Sequence, residues 1–322
     1  MAQISDENIS FQWHITYLCN LRCKHCYQEN FLSNNDLSFD KIRLILENLK
    51  EQFGKISINI TGGEPLYKKD FFDILDIISS FDNIESFNII TNGTLLNDRN
   101  INMLKNYKKL NEIKISIDGI KANDFIRGKG LLNIVEKNIK KISGIRKIIM
   151  FTAGGYNYRE IEDVFDFSYE ISDGLIIERF VPLGEGMQLK EFYLKQEEWF
   201  YIVQFIKDYF FIDNLNELAK FRAFYIDFKE DEVFGALCNL GESFAIMPDG
   251  SIYPCRRLPI ILGNALKTRN IKEKIDNFRK EIEKNLKGKC SKCVFFNECI
   301  GCRAGVYATK NNLFYPDEQC FI

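Results

Sequence analysis

Short runs rich in β-branched and aromatic residues alternate with longer stretches of helical spacing at intervals of about 30 residues, the rhythm of successive βαβ units. The strand-like runs are FQWHITY from Phe11, ISINIT from Ile56, SFNIIT from Ser86, EIKISID from Glu112, KIIMFTA from Lys147 and GLIIERFV from Gly174. Between them, FDKIRLILENLKEQF, FFDILDIISSF, LLNIVEKNIKKI and EIEDVFDFSYEI carry apolar residues at i, i+3 and i+4. That spacing is the face by which a helix covers a sheet. The pattern predicts an α/β fold, a partial (β/α)6 TIM-like barrel over residues 1–190. In parallel barrels the chemistry sits at the C-terminal ends of the strands, so the loops that follow these runs are the ones to read closely.

Past Pro182 the rhythm changes. EEWFYIVQFIKDYFF (Glu197 to Phe211) has aromatics around more than one helical face, which predicts a bridging helical segment over 191–237 packed on two sides. From Cys238 onward lie seven of the ten cysteines and four of the six prolines. This predicts a loop-rich, cysteine-rich cluster-binding domain over 238–322, held together by metal.

Composition excludes several classes. A chain of 322 residues with 46% hydrophobic content can bury one large core plus an appended module. Its 43 basic and 45 acidic residues leave a net charge of -2, which does not favour nucleic acid as a partner. The basic run KNIKKISGIRK (Lys137 to Lys147) lies on an apolar-periodic stretch and reads as a solvated helix face. The N-terminus lacks a basic region followed by an apolar one, and no stretch approaches about 18 uninterrupted apolar residues. No membrane partner and a cytoplasmic location are therefore expected. In a reducing cytosol, ten tightly spaced cysteines argue for metal ligation over disulfides.

Cys19, Cys23 and Cys26 follow directly on the first strand at C-x3-C-x2-C spacing. Three thiolates can hold three irons of a [4Fe–4S] cluster and leave the fourth iron free. Half a zinc site, completed by His14 or His25, is the other reading of the loop taken alone.

The stretch YLCNLRCKHCYQ resembles the cluster-binding signature of the radical S-adenosylmethionine (SAM) enzymes, with His25 where an aromatic residue often precedes the last cysteine. The resemblance implies that Cys19, Cys23 and Cys26 are the catalytic cluster ligands. It further implies that the open iron is chelated by the amino and carboxylate groups of SAM, which one electron cleaves to methionine and a 5′-deoxyadenosyl radical. Four later features fit the same family. TGGEPL supplies Gly62, Gly63, Glu64 and Pro65, where the family's glycines let the backbone approach the SAM ammonium and Glu64 would add a charge-assisted hydrogen bond. TNGT supplies Asn92, SIDG supplies Ser116 and Asp118, and NDFIRG supplies Arg127, matching an arginine that can clamp the SAM carboxylate. Separately each could be an ordinary turn or a surface charge. Their order at successive strand ends makes coincidence improbable.

The remaining cysteines read Cys238, Cys255, Cys290-x2-Cys293-x5-Cys299-x2-Cys302 and Cys320, with MPDGSIYPC and LGNAL among them. This resembles the seven-cysteine SPASM extension, which carries auxiliary iron–sulfur clusters. One departure is that two residues, Ile300 and Gly301, separate Cys299 from Cys302, where the family usually has three. Carried over by position, Cys290, Cys293, Cys299 and Cys320 would fully ligate one cluster, and Cys238, Cys255 and Cys302 would hold the other. Seven thiolates cannot close two four-iron clusters, so the second would be open, capped by another residue, or smaller. A zinc ribbon over Cys290 to Cys302 is the alternative, but the five-residue gap between its pairs is short for one.

The resemblance implies an anaerobic radical enzyme that oxidatively modifies a ribosomally made peptide or protein, by crosslinking or side-chain oxidation. Its partners would be the peptide or protein substrate and an electron donor such as flavodoxin or ferredoxin. Cys19 comes too early for a preceding leader-binding domain, so a leader would be recognised by the barrel, by the linker segment or by a separate leader-binding protein. The alternatives are a tetrapyrrole or haem-precursor enzyme, a sulfatase-maturase-like enzyme, and, from another class, a non-catalytic electron-transfer or zinc-binding protein.

Overall fold

A computed structural model describes residues 8–322, so residues 1–7 of the expected barrel region lie outside the described residues. Six strands run parallel in sequence order: β1 (Ile9–His14), β2 (Ile56–Thr61), β3 (Ile84–Thr91), β4 (Leu110–Ser116), β5 (Arg146–Ala153) and β6 (Gly174–Arg179). The intervening helices are α1 (Phe39–Gln52), α2 (Phe71–Ser80), α3 (Asp98–Leu104), α4 (Ala122–Ile126), α5 (Leu131–Ile139) and α6 (Ile161–Ile171). The six-strand parallel frame is the one the βα rhythm predicts.

The strands alternate for a physical reason. Ile58 and Ile60 on β2, Ile113 and Ile115 on β4 and their neighbours are buried in the main core with the helices. The residues between them, among them Asn59 and Lys114, turn toward the inside of the curled sheet and line a cavity there. A parallel strand buried on both faces would read as a continuous apolar run. Here polar residues at every second position keep a lumen open.

The sheet does not stop at six strands. The segment expected to be helical over 191–237 begins with α7 (Gln196–Tyr209) and α8 (Leu215–Leu218), then forms a hairpin of β7 (Ala223–Asp227) and β8 (Glu232–Ala236), with β7 antiparallel to β6. At the other edge β9 (Ala245–Ile246) pairs parallel with β1, and β10 (Ser251–Tyr253) and β11 (Gly263–Asn264) continue antiparallel. The result is one 11-stranded sheet. The C-terminal helices are α9 (Ile271–Asn285) and α10 (Arg303–Lys310).

The cysteine-rich region is docked on the barrel by specific contacts. Phe11 and Phe244 stack with ring centroids 4.8 Å apart. Asn48 of α1, fully buried, donates to the carbonyls of Ala265 (2.7 Å) and Thr268 (3.0 Å), and Gln52 one turn later donates to Thr268 and accepts from the Ile271 amide. Among the described residues no helix is long and apolar enough to cross a membrane.

Candidate active site

Cys19, Cys23 and Cys26 leave β1 in one loop and line one pocket at the C-terminal ends of the strands. Burial pushes the Cys19 thiol up to about 11 and Cys26 up to about 12, and raises Cys23 as well. Three thiols that resist ionisation in one wall become thiolates together only when a cation neutralises them, which is the requirement of a metal–sulfur centre. The backbone is already arranged for sulfur as acceptor: the Leu21 amide donates to Cys19 Sγ at 3.4 Å, and the same i+2 contact recurs at Phe295 to Cys293 (3.5 Å) and Gly301 to Cys299 (3.3 Å). The donor set and these amides fit an iron–sulfur cluster. All ten cysteines are free, and among the described residues no three His, Cys, Asp or Glu side chains close around a point suited to a single metal ion.

Gly62 and Gly63 press against this loop. The Gly63 amide donates to the Thr16 carbonyl (2.9 Å) and the Glu64 amide to the Leu18 carbonyl (2.7 Å). A Cβ on Gly62, whose φ is 154°, would lie 2.5 Å from the Thr16 oxygen, and one on Gly63 would collide with the Leu18 carbonyl. Both glycines line the pocket, as do Asn92 and Ser116.

Glu64 lies outside the wall of this pocket. It is fully buried behind the wall with Pro65, and its carboxylate accepts from the Thr91 hydroxyl (2.8 Å), the Asn92 amide (2.7 Å) and the Leu66 amide (3.1 Å). Burial outweighs these bonds and pushes its carboxyl up to about 7. Glu64 thus ties the end of β2 to the end of β3.

Asp118 also sits beneath the pocket. Fully buried, it meets Arg127 Nη2 at 2.7 Å and His25 Nε2 at 3.0 Å and accepts from the Thr152 amide at 3.0 Å. Burial alone would raise its carboxyl, but the Arg127 guanidinium and His25 hold it well below the usual range. Asp118 thus contacts Arg127 and His25 from behind, and both of those side chains line the pocket. His25, which stands where an aromatic residue is usual, has its structural partner here in Asp118.

Cys238, Cys255 and Cys302 come together around a second, smaller cavity, with Arg222 and Arg257 in its wall. Burial would raise the Cys302 thiol, but Arg179 and Arg222 hold it below its ordinary value. The short Cys299–Cys302 spacing does not keep Cys302 from this group. Cys290, Cys293, Cys299 and Cys320 lie in the adjoining loops, with Cys290 close enough to Cys320 for its charge to act on that thiol.

Sequence reading did not single out Arg222, Arg256 or Arg257, which lie between the two cysteine sites. Glu178, on β6, is ion-paired to Arg256, with Arg257 Nη1 at 3.9 Å. The signal available was a lone acid in the apolar run GLIIERFV and two arginines directly after Cys255.

Comparison with known proteins agrees with this geometry. Residues 13–168 match the radical SAM superfamily, and residues 238–294 match an iron–sulfur cluster-binding domain of the SPASM type. The AdoMet-dependent heme synthase of Methanosarcina barkeri is 28% identical over 96% of this chain and 95% of its own length. Mycofactocin maturase MftC of Mycolicibacterium smegmatis is 25% identical over 98% and 83%. Among solved structures, anSMEcpe with bound AdoMet and Kp18Cys peptide superposes with a TM-score of 0.75 at 20% identity, covering 97% of this chain and 94% of that one. Streptococcus suis SuiB bound to precursor peptide SuiA gives 0.71 at 18%, covering 99% and 77%. At these identities the two structures speak to the fold. With both domains matched in order along one sheet, the chain is an enzyme that belongs to the radical SAM superfamily and carries a SPASM iron–sulfur domain.

Proposed function

We propose that the protein cleaves SAM reductively at the Cys19, Cys23 and Cys26 pocket and uses the outcome to oxidise a ribosomally made peptide or protein. When bound, a [4Fe–4S] cluster with SAM supplies one-electron cleavage and a radical able to remove hydrogen from an unactivated carbon. In this reading Gly62 and Gly63 admit the SAM ammonium to the backbone, Asn92 and Ser116 border the nucleoside, and Arg127, aimed by Asp118, clamps the carboxylate. An external donor such as flavodoxin or ferredoxin supplies the electron.

One observation carries the oxidative reading. The Cys19 pocket shares Gln12, Met150, Glu178 and Arg256 with the barrel lumen, and the lumen shares Arg222, Cys255 and Arg257 with the Cys238, Cys255 and Cys302 cavity. A substrate in the lumen thus lies between the radical source and an auxiliary cluster that can accept the second electron. We assign Cys290, Cys293, Cys299 and Cys320 to a further cluster. The peptide-bound state of SuiB supports a peptide as the substrate class.

Mass spectrometry of candidate peptides co-expressed with the enzyme tests the reading. A loss of about 2 Da, or a crosslink, is the expected outcome. The full-length similarity to a heme synthase favours one second reading, a tetrapyrrole substrate. Conversion of a porphyrinogen or haem precursor with no change in any peptide would establish that reading instead.

A further inference from the structure

The barrel lumen holds more cationic N–H donors than its own acids can use. It is a cavity of about 450 Å³ whose wall carries Lys114, Arg222, Arg256 and Arg257, against Glu178 and, at the exposed rim, Glu242. Glu178 is already engaged by Arg256 and faced by Arg257. Lys114 Nζ donates to Asn59 Oδ1 at 3.1 Å and lies 3.5 Å from Glu112, but Glu112 is shared with Arg146 at 3.3 Å. Arg222 donates from Nη2 to the Leu237 carbonyl and Arg257 from Nη1 to the Arg179 carbonyl, while Nε of each is buried with no acceptor.

Unspent buried donors are costly, and a guanidinium or ammonium has several to spend. The thiolates of Cys238, Cys255 and Cys302 account for part of this charge, because Arg222 and Arg257 border their cavity. Lys114 on β4 and Arg256 face the lumen and lie outside the wall of that cavity. Lys114 keeps protein partners in Asn59 and Glu112, and Arg256 keeps one in Glu178, so an occupant of the lumen would take the N–H donors that these contacts leave over.

We propose that the lumen is a carboxylate-binding subsite for the substrate, in which Lys114 and Arg256 hold a carboxylate and so turn the adjoining carbon toward the Cys19, Cys23 and Cys26 pocket. Arg222 and Arg257 add attraction at longer range. The proposal rests on the reading that the substrate occupies the lumen, and on the peptide reading the group is an acidic side chain or a free C-terminus. A charge-assisted contact of this kind discriminates strongly against the uncharged amide, which leaves the cations unpaired.

The test uses the reconstituted, SAM-loaded enzyme and calorimetric titration with four probes: the capped pentapeptide Gly-Gly-Glu-Gly-Gly, its Gln counterpart, glutarate, and a porphyrin bearing propionates. The expected result is that at least one carboxylate probe binds saturably, and that the Glu peptide binds about tenfold or more tighter than the Gln peptide. Lys114→Met and Arg256→Gln reduce that preference to about twofold or less, and Lys114→Arg, which keeps the charge, restores it. Iron content and circular dichroism identify the variants that have folded. No saturable binding of any carboxylate, or equal binding of the Glu and Gln peptides, overturns the proposal. So does a preference that survives both charge-removing variants. If only the porphyrin binds, and does so through Lys114, the subsite stands and the peptide reading falls. If the Glu peptide binds without dependence on Lys114 or Arg256, the subsite falls and the peptide reading stands.

Discussion

Replacing Asp118 with Asn tests the claim that this residue holds Arg127 and His25 from behind the pocket. The carboxylate is fully buried and its Oδ2 lies 2.7 Å from Arg127 Nη2. At a charge separation of about 4 Å and an effective dielectric of about 20, the attraction lost is about 4 kcal/mol. Removing one partner of a buried pair costs about 3–5 kcal/mol in general, because the other charge is left uncompensated. The Asn side chain retains an oxygen for the Thr152 amide, so that bond offsets nothing. We therefore expect Asp118→Asn to destabilise the apo-protein by about 3–5 kcal/mol in urea unfolding at neutral pH. The pH dependence follows from the sign. The Asp118 carboxyl is held below its usual range, so its contribution is present above the unfolded value and is lost on acidification below about pH 4. The difference between wild type and variant should narrow there. Combining Asp118→Asn with Arg127→Met should recover part of the loss, since the orphaned cation is gone. A variant within about 1 kcal/mol of wild type, or a double variant no better than the single, would refute the placement of this network.

Further outcomes follow from other contacts. Glu64→Ala leaves the Thr91 hydroxyl and the Asn92 and Leu66 amides without their acceptor and should cost about 3–5 kcal/mol, measured by the same unfolding assay. Because burial raises the Glu64 carboxyl from 4.5 to about 7, its share of apo-protein stability falls as pH rises through that interval, and Glu64→Gln should flatten the decline. Asn48→Ala strands the Ala265 and Thr268 carbonyls and should cost about 1–3 kcal/mol, with faster amide exchange in 263–271 than in the strands of the barrel.

The parallel frame was legible in the sequence because each strand run and each helical run carries its own period; the loop cysteines taken alone leave iron–sulfur and zinc both open, and the family resemblance chooses between them. The hairpin of β7 and β8 was not legible. It follows the aromatic-rich α7, and of its two five-residue strands β7 pairs with β6, well before it in the chain, as well as with β8, a long-range contact that no local pattern encodes. Gly62, Gly63, Asn92, Ser116 and Arg127 all line one pocket at the strand ends. Glu64 and Asp118 belong to the same motifs but lie one layer deeper, and motif position alone does not distinguish a residue that faces a ligand from one that supports it. The Glu178, Arg256 and Arg257 group joins β6 to a loop far along the chain, a juxtaposition only the folded sheet creates.

The measurement that bears most directly on the account is the yield of 5′-deoxyadenosine from SAM by reduced, anaerobically reconstituted enzyme, compared with iron content in the same samples. Wild type should form the product, whereas replacing Cys19, Cys23 and Cys26 together should abolish it and remove about four irons while the rest stay bound. Product formation by the triple variant, or loss of all iron from it, would contradict a separate SAM-cleaving site at the end of β1.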